Sequence, residues 1–202
     1  HRVVPVVQEL RKESPVFISV DTTKGEVARQ ALVAGADMIN DISAGRFDPD
    51  MLTVVAEFKC WYCVMHMQGE PGTMQQTPHY RDVVAEVRFF LAEAVARCRQ
   101  AGIADERLVL DPGFGFGKTL DHNLSLFRAL TAAGVDDLPM LVGVSRKSML
   151  GAITGRPVEQ REAASVAAAL LAAQKGAKII RVLDVAATRD ALAVWSAIEQ
   201  GN

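Results

Sequence analysis

Apolar positions recur with a helical period in several stretches of the chain. Val83, Val84, Val87, Phe90, Leu91, Ala94, Val95 and Cys98 fall on one stripe and predict an amphipathic helix. Val27, Ala31 and Ala34 predict a second ahead of Gly35, and Leu124, Phe127 and Leu130 a third ahead of Gly134. The Ala-rich segment 162–174 has high helix propensity. Val3, Val7 and Leu10 mark a helix over His1–Glu13, and Thr188 is placed to N-cap a last helix carrying Leu192, Trp195 and Ile198. Ala34-Gly35, Ala101-Gly102, Ala133-Gly134 and Lys175-Gly176 each close a helical stretch, where a left-handed glycine ends a helix readily.

Between these stretches lie short apolar runs without clean alternation: Val16–Val20, Asp37–Ile42, Trp61–Met65, Leu108–Leu110, Met140–Val144 and Ile179–Val182. Such runs predict parallel strands covered on both faces. Strand alternating with helix predicts right-handed βα units. Each run stops at polar groups: Asp21-Thr22, Asn40-Asp41, His66, Asp111, Ser145-Arg146-Lys147-Ser148, and Arg181 with Asp184. Parallel strands put their carboxyl ends on one side, where α/β folds bind ligands, although any one group could merely cap the following helix.

Two loops carry candidate chemistry. Asp111–Thr119 resembles a phosphate loop but misses it: Pro112 stands where a Walker A motif needs Gly, and Lys118 where a dinucleotide fingerprint needs its third Gly. Its glycines fit a close backbone approach to a flat ligand, with Phe114 or Phe116 as an aromatic wall, or simply a tight structural turn. Gly143–Ser148 offers two cations and two hydroxyls at a strand-to-helix junction, and Arg181 adds a fork suited to phosphate oxygens. His66–Gln76 is a long irregular segment of the kind that forms lids or touches substrate. Cys60 and Cys63 have CxxC spacing, but no second pair exists and i and i+3 in a strand face opposite ways, so both read as structural. His79 and His122 read as surface or capping residues.

Composition narrows the field. Half of the 202 residues are hydrophobic, which excludes a disordered chain. The net charge of −2 supplies no field for broad attraction to nucleic acid or a membrane surface. The longest apolar run, Val166–Ala173, is far short of the ~20 residues that span a bilayer. Three cysteines are no disulfide framework, which leads us to expect a cytoplasmic protein.

The ordered set Ser19-Val20-Asp21-Thr22, Ile39-Asn40-Asp41-Ile42, Met65-His66-Met67-Gln68-Gly69, Asp111-Pro112-Gly113-Phe114-Gly115-Phe116-Gly117-Lys118, Gly143-Val144-Ser145-Arg146-Lys147-Ser148 and Arg181-Val182-Leu183-Asp184-Val185 resembles the dihydropteroate synthase family. The resemblance implies an α/β TIM (β/α)₈ barrel. It further implies a transferase of folate biosynthesis that joins p-aminobenzoate to hydroxymethyl-dihydropterin pyrophosphate, releases pyrophosphate, uses Mg2+, acts as a homodimer and is a sulfonamide target. By resemblance, Asp21, Asn40, Asp111 and Lys147 bind the pterin, Ser145 and Phe116 lie near the aminobenzoate, and Arg181 and Ser148 hold phosphate. Lys147, Asp111 and Arg181 then carry catalysis.

Two departures stand out. Leu183 replaces the family's phosphate-side His. The family's first two βα units, with the metal-binding Asn strand and the mobile loops, have no counterpart. We therefore expect one incomplete barrel domain over residues 1–202, with about six of eight strands and no metal ligand in this chain. Two alternatives fit parts of the pattern. One is the pterin-binding domain of a methyltetrahydrofolate-type methyltransferase, against which the Ser-Arg-Lys-Ser loop speaks. The other is a non-catalytic paralogue or fragment, for which Leu183 and the short front speak.

Overall fold

The structure is a computed structural model that describes residues 2–200. His1, which the expected first helix included, lies outside the described residues. Helix α1 (Val3–Glu13) is followed by β1 (Ser19–Asp21), α2 (Gly25–Val33), β2 (Met38–Asp41), α3 (Met51–Phe58), β3 (Trp61–Met65), α4 (Val83–Gln100) and β4 (Leu108–Asp111). Then come α5 (Leu120–Arg128), β5 (Leu141–Val142), α6 (Ser148–Thr154), α7 (Glu162–Gln174), β6 (Ile179–Ile180) and α8 (Val185–Gln200).

The chain forms two compact units. The first comprises the stretch up to His66 together with Phe89–Asp111 and Val135–Leu138. It holds a four-stranded, all-parallel sheet in the order β1-β2-β3-β4, so each strand pairs with its sequence neighbour. The non-alternating runs have their explanation here: Val20, Ile39, Tyr62, Val64, Leu108 and Leu110 are buried on one face, and Met38, Cys63, Met65 and Val109 on the other. The stripe of α4 behaves as its period requires, with Val83, Val87, Leu91, Ala94, Val95 and Cys98 buried and Phe89 exposed. Each fully buried Val or Leu contributes ~1.5–3 kcal/mol.

The second unit comprises Met67–Arg88, Pro112–Gly134 and the chain from Pro139 on. It holds the parallel pair β5-β6, in register Leu141 with Ile179 and Val142 with Ile180, and helices α5 to α8.

Several expectations need correction. Val16 and Phe17 do not enter β1; they are about half exposed, because the strand starts only at Ser19. Gly134 is extended (φ −73, ψ 164), unlike the left-handed Gly35, Gly102 and Gly176, because α5 ends early at Arg128 and a 3₁₀ turn over Leu130–Ala133 intervenes. Thr188 caps nothing: α8 begins at Val185, the Thr188 amide donates to the Asp184 carbonyl, and its buried hydroxyl has no partner.

Candidate functional site

Register decides which side chains share a face. Asp21, Asn40, Cys63 and Val109 occupy one row across the first unit's sheet. Asp111 lies two residues beyond Val109, so it returns to the same face. Three of the expected pterin residues, Asp21, Asn40 and Asp111, therefore stand on one face at the carboxyl end of β1, β2 and β4.

Asn40 is 2% exposed and its Nδ2 donates to Asp21 Oδ1 at 2.8 Å. An ionised carboxylate only accepts, so this bond fixes the amide's orientation. It leaves Asn40 Oδ1 buried with no hydrogen-bond partner. A buried acceptor without a donor costs ~1–3 kcal/mol, and native structures hold few of them. This one suits the amino or ring N–H donor of a flat heterocycle.

Asp41, one residue on, faces the other way and is fully buried. It accepts from Ser43 N–H (2.8 Å), Ser43 Oγ (2.6 Å), Gly45 N–H (2.7 Å) and the Tyr62 hydroxyl (2.8 Å). Its charge is satisfied within the protein, so it anchors the turn after β2. Burial, and then the Asp41 charge, push the Tyr62 phenol well above its usual range. His66 is buried with its ring edge-on to Phe90 of α4 at 4.9 Å. Burial pushes the thiol of Cys60 up to about 11 and that of Cys98 up to about 12, as inert structural cysteines require.

In the second unit the Gly-rich loop is tied down carbonyl by carbonyl. Gly113 O and Phe116 O accept from Lys118 Nζ (2.8 and 3.1 Å), Phe114 O from Lys147 Nζ, Gly115 O from the Gln75 amide, and Gly117 O from the Tyr80 hydroxyl (2.8 Å). Gly115 N–H donates to Asn123 Oδ1 at 2.8 Å. The ammonium of Lys147 lies 4.9 Å from the centre of the Phe116 ring, a cation–π contact between two of the expected substrate-binding residues. Gly117 is left-handed (φ 63), and a Cβ there would clash with the Gln68 carbonyl. The segment after His66 is thus strapped onto the Gly-rich loop, and Gln68 reinforces it by pairing both ways with the His79 backbone. His122 serves as a cap, in a capping box with Thr119.

The cations expected at phosphate divide their work. Arg146, left-handed at φ 54, pairs bidentately with Asp184 (3.1 and 2.5 Å), and that carboxylate holds its pKa above the ordinary value. Arg146 is thereby committed inside the protein. The Arg181 guanidinium lies 3.0–3.4 Å from where a Gly143 Cβ would stand, so the glycine makes room for it. The Ser145 hydroxyl accepts from Leu183 N–H at 3.2 Å, Ser148 is exposed at the head of α6, and the Leu183 side chain is 69% exposed. Lys118, Asn123 and Tyr80 escaped the sequence reading. Lys118 belongs to the family-like Asp111–Lys118 motif, but nothing in that motif gives it a role, and Asn123 and Tyr80 belong to no motif.

The family model for pterin binding enzymes matches residues 1–183. The chain is also 49% identical to dihydropteroate synthase of Haemophilus influenzae over 197 residues, covering 98% of this chain and 71% of that one. The chain belongs to the dihydropteroate synthase family. Dihydropteroate synthase of Stenotrophomonas maltophilia, solved with imidazole in its active site, is 50% identical with a TM-score of 0.96, over 100% of this chain and 76% of that one. The Burkholderia cenocepacia enzyme, solved with 7,8-dihydropteroate, is 51% identical with a TM-score of 0.92, over 98% and 73%. The fold class is accordingly the TIM barrel of this family, with six strands among the described residues. Among the described residues, no group of three or more His, Cys, Asp and Glu side chains is arranged to hold a metal ion. Nor is any described helix long and apolar enough to cross a membrane.

Proposed function

We propose that the chain is the folate-pathway transferase its family implies, condensing p-aminobenzoate with hydroxymethyl-dihydropterin pyrophosphate to dihydropteroate and pyrophosphate. The observation that carries this reading is the orphaned Oδ1 of Asn40, buried beside Asp21 on the face that Asp111 shares. A pterin edge presents an amino group and ring N–H groups beside ring-nitrogen and carbonyl acceptors. Two carboxylates accept from the donors, and Asn40 Oδ1 takes one more. A ring lacking those donors would leave buried acceptors unpaired, which is the strongest form of selection a binding site has.

Lys147, held by the Phe114 carbonyl over the Phe116 ring, serves as the cation against the pterin and the aminobenzoate. Ser145 and Phe116 line the aminobenzoate, and Arg181 and Ser148 receive the pyrophosphate. In the reaction the pterin methylene C–O bond breaks and its electron pair leaves with the pyrophosphate. The aniline nitrogen then gives its lone pair to the cation-like carbon and loses a proton to water. Arg181 offsets the charge that develops on the leaving group, so positioning and electrostatics supply most of the rate. Magnesium is the expected counter-ion of the pyrophosphate. Among the described residues no group of three or more His, Cys, Asp and Glu side chains is arranged to hold it.

A single pterin-binding domain, a homodimer and a cytoplasmic location complete the reading. Incubating the protein with both substrates and magnesium is expected to give dihydropteroate with one pyrophosphate per product. Methyl transfer from methyltetrahydrofolate to a corrinoid, without dihydropteroate, would contradict it.

A further inference from the structure

One buried charge has no task in the proposed reaction. Lys118 is 3% exposed, and its ammonium donates to the carbonyls of Gly113 and Phe116. Those two carbonyls bound a turn also closed by the Phe116 N–H bond to Gly113 O at 3.1 Å. Inside the turn stands Phe114, whose carbonyl accepts from Lys147. Two ammonium groups thus bind three carbonyls of four successive residues.

Gly113, Gly115 and Gly117 are all left-handed (φ 69, 79 and 63). A segment with so many glycines has much freedom to lose, so its shape depends on what ties it. The α5 residue Asn123 ties one amide and Lys118 ties the two ends. Burying an ammonium is costly unless its protons are used. Here at least two of those protons are used, on the carbonyls of Gly113 and Phe116 at the two ends of the turn.

We propose that Lys118 is a positioning residue. It fixes the Phe114 carbonyl and the Phe116 ring, and these hold the Lys147 ammonium in place for the aminobenzoate. The inference rests on the synthase reading for its purpose, but the geometry it asserts can be tested without turnover.

The test uses the whole chain carrying Lys118→Met and, separately, Lys118→Gln, which keeps an uncharged N–H donor group on a shorter side chain. The first readout is the rate at which a trace acylating reagent labels the Lys147 amine, followed by mass spectrometry relative to the exposed Lys24. Lys118→Met is expected to speed Lys147 labelling several-fold and Lys118→Gln less so, with cooperative melting kept. Unchanged labelling in both variants would overturn the proposal. Loss of cooperative melting in both would also overturn it, since the lysine would then serve only the fold. The second readout is steady-state turnover. We expect KM for p-aminobenzoate to rise about tenfold, with less change in KM for the pterin substrate, and the rise to vanish in a Lys147→Met background, as a shared interaction requires. A fall in kcat with both KM values unchanged would count against it. An inactive parent chain would count against the synthase reading alone, because labelling still decides this inference.

Discussion

The two units hold their functional side chains by different means. In the first, Asp21, Asn40 and Asp111 ride on strands whose backbones are locked in a parallel ladder, and the pleat alone decides which side chain faces which way. Asn40 and Asp41 are adjacent, both buried and both polar, yet one is left with an orphaned acceptor and the other takes four hydrogen bonds. In the second unit, Lys147 and Phe116 depend on a glycine-rich turn shaped by side chains clasping its carbonyls. A ladder tolerates an unsatisfied group because the rest of the sheet pays no heed to it. The turn tolerates none, since its hydrogen bonds are its shape.

Four substitutions or conditions sharpen this contrast. Asp41→Ala is expected to do the most damage, ~3–5 kcal/mol, because it strips the partner from four donors at once. A denaturant midpoint close to that of the parent would break the account of the sheet face opposite Asn40. Gly117→Ala should follow at about 1–3 kcal/mol, since the left-handed backbone and the Gln68 carbonyl both resist a Cβ. Thermal melting checks it, and retained stability would mean the strap is loose.

The third is Leu183→His. Leu183 stands largely exposed with its amide on Ser145, and the family resemblance implies a histidine on the phosphate side at this position. Gaining a hydrogen bond to a charged group is worth ~1.5–3 kcal/mol at most and less where water competes, so pyrophosphate release is expected to speed up several-fold. A rate unchanged or slower would remove position 183 from the phosphate end.

The smallest effect concerns pH. The Cys60 and Cys98 thiols are pushed up to about 11 and about 12 by burial. A raised folded-state pKa gives stability that is whole below the unfolded thiol value, ~8.5, and is lost as pH rises toward the folded values. The melting temperature should therefore show no cysteine contribution to its slope below pH ~8.5, and both thiols should resist disulfide-exchange reagents at neutral pH. Rapid modification of the native protein would contradict their burial.

Much of this architecture was legible in the residues. The six strands and the helices between them follow from runs such as Trp61–Met65 and from the stripe of α4, because burial of apolar side chains drives both. What escaped depends on register and on long-range partners. Nothing in the spacing of Asn40-Asp41 says which of the two shares a face with Asp21; the pairing of Asp21 with Asn40 does. Arg146 reads as a phosphate cation until Asp184, far along the chain, claims it. Lys118 reads as a failed nucleotide motif until its ammonium is seen folded back on the turn that precedes it.

The claim on which the rest depends is that the buried acceptor of Asn40 receives a pterin donor. Calorimetric titration of the pterin pyrophosphate into the parent protein and into Asn40→Ala tests it most directly. Binding to the parent is expected, with roughly 5- to 150-fold weaker binding to a variant whose melting is little changed, in line with the ~1–3 kcal/mol carried by one buried hydrogen bond. Equal affinity in the two proteins, with both folded, would contradict it.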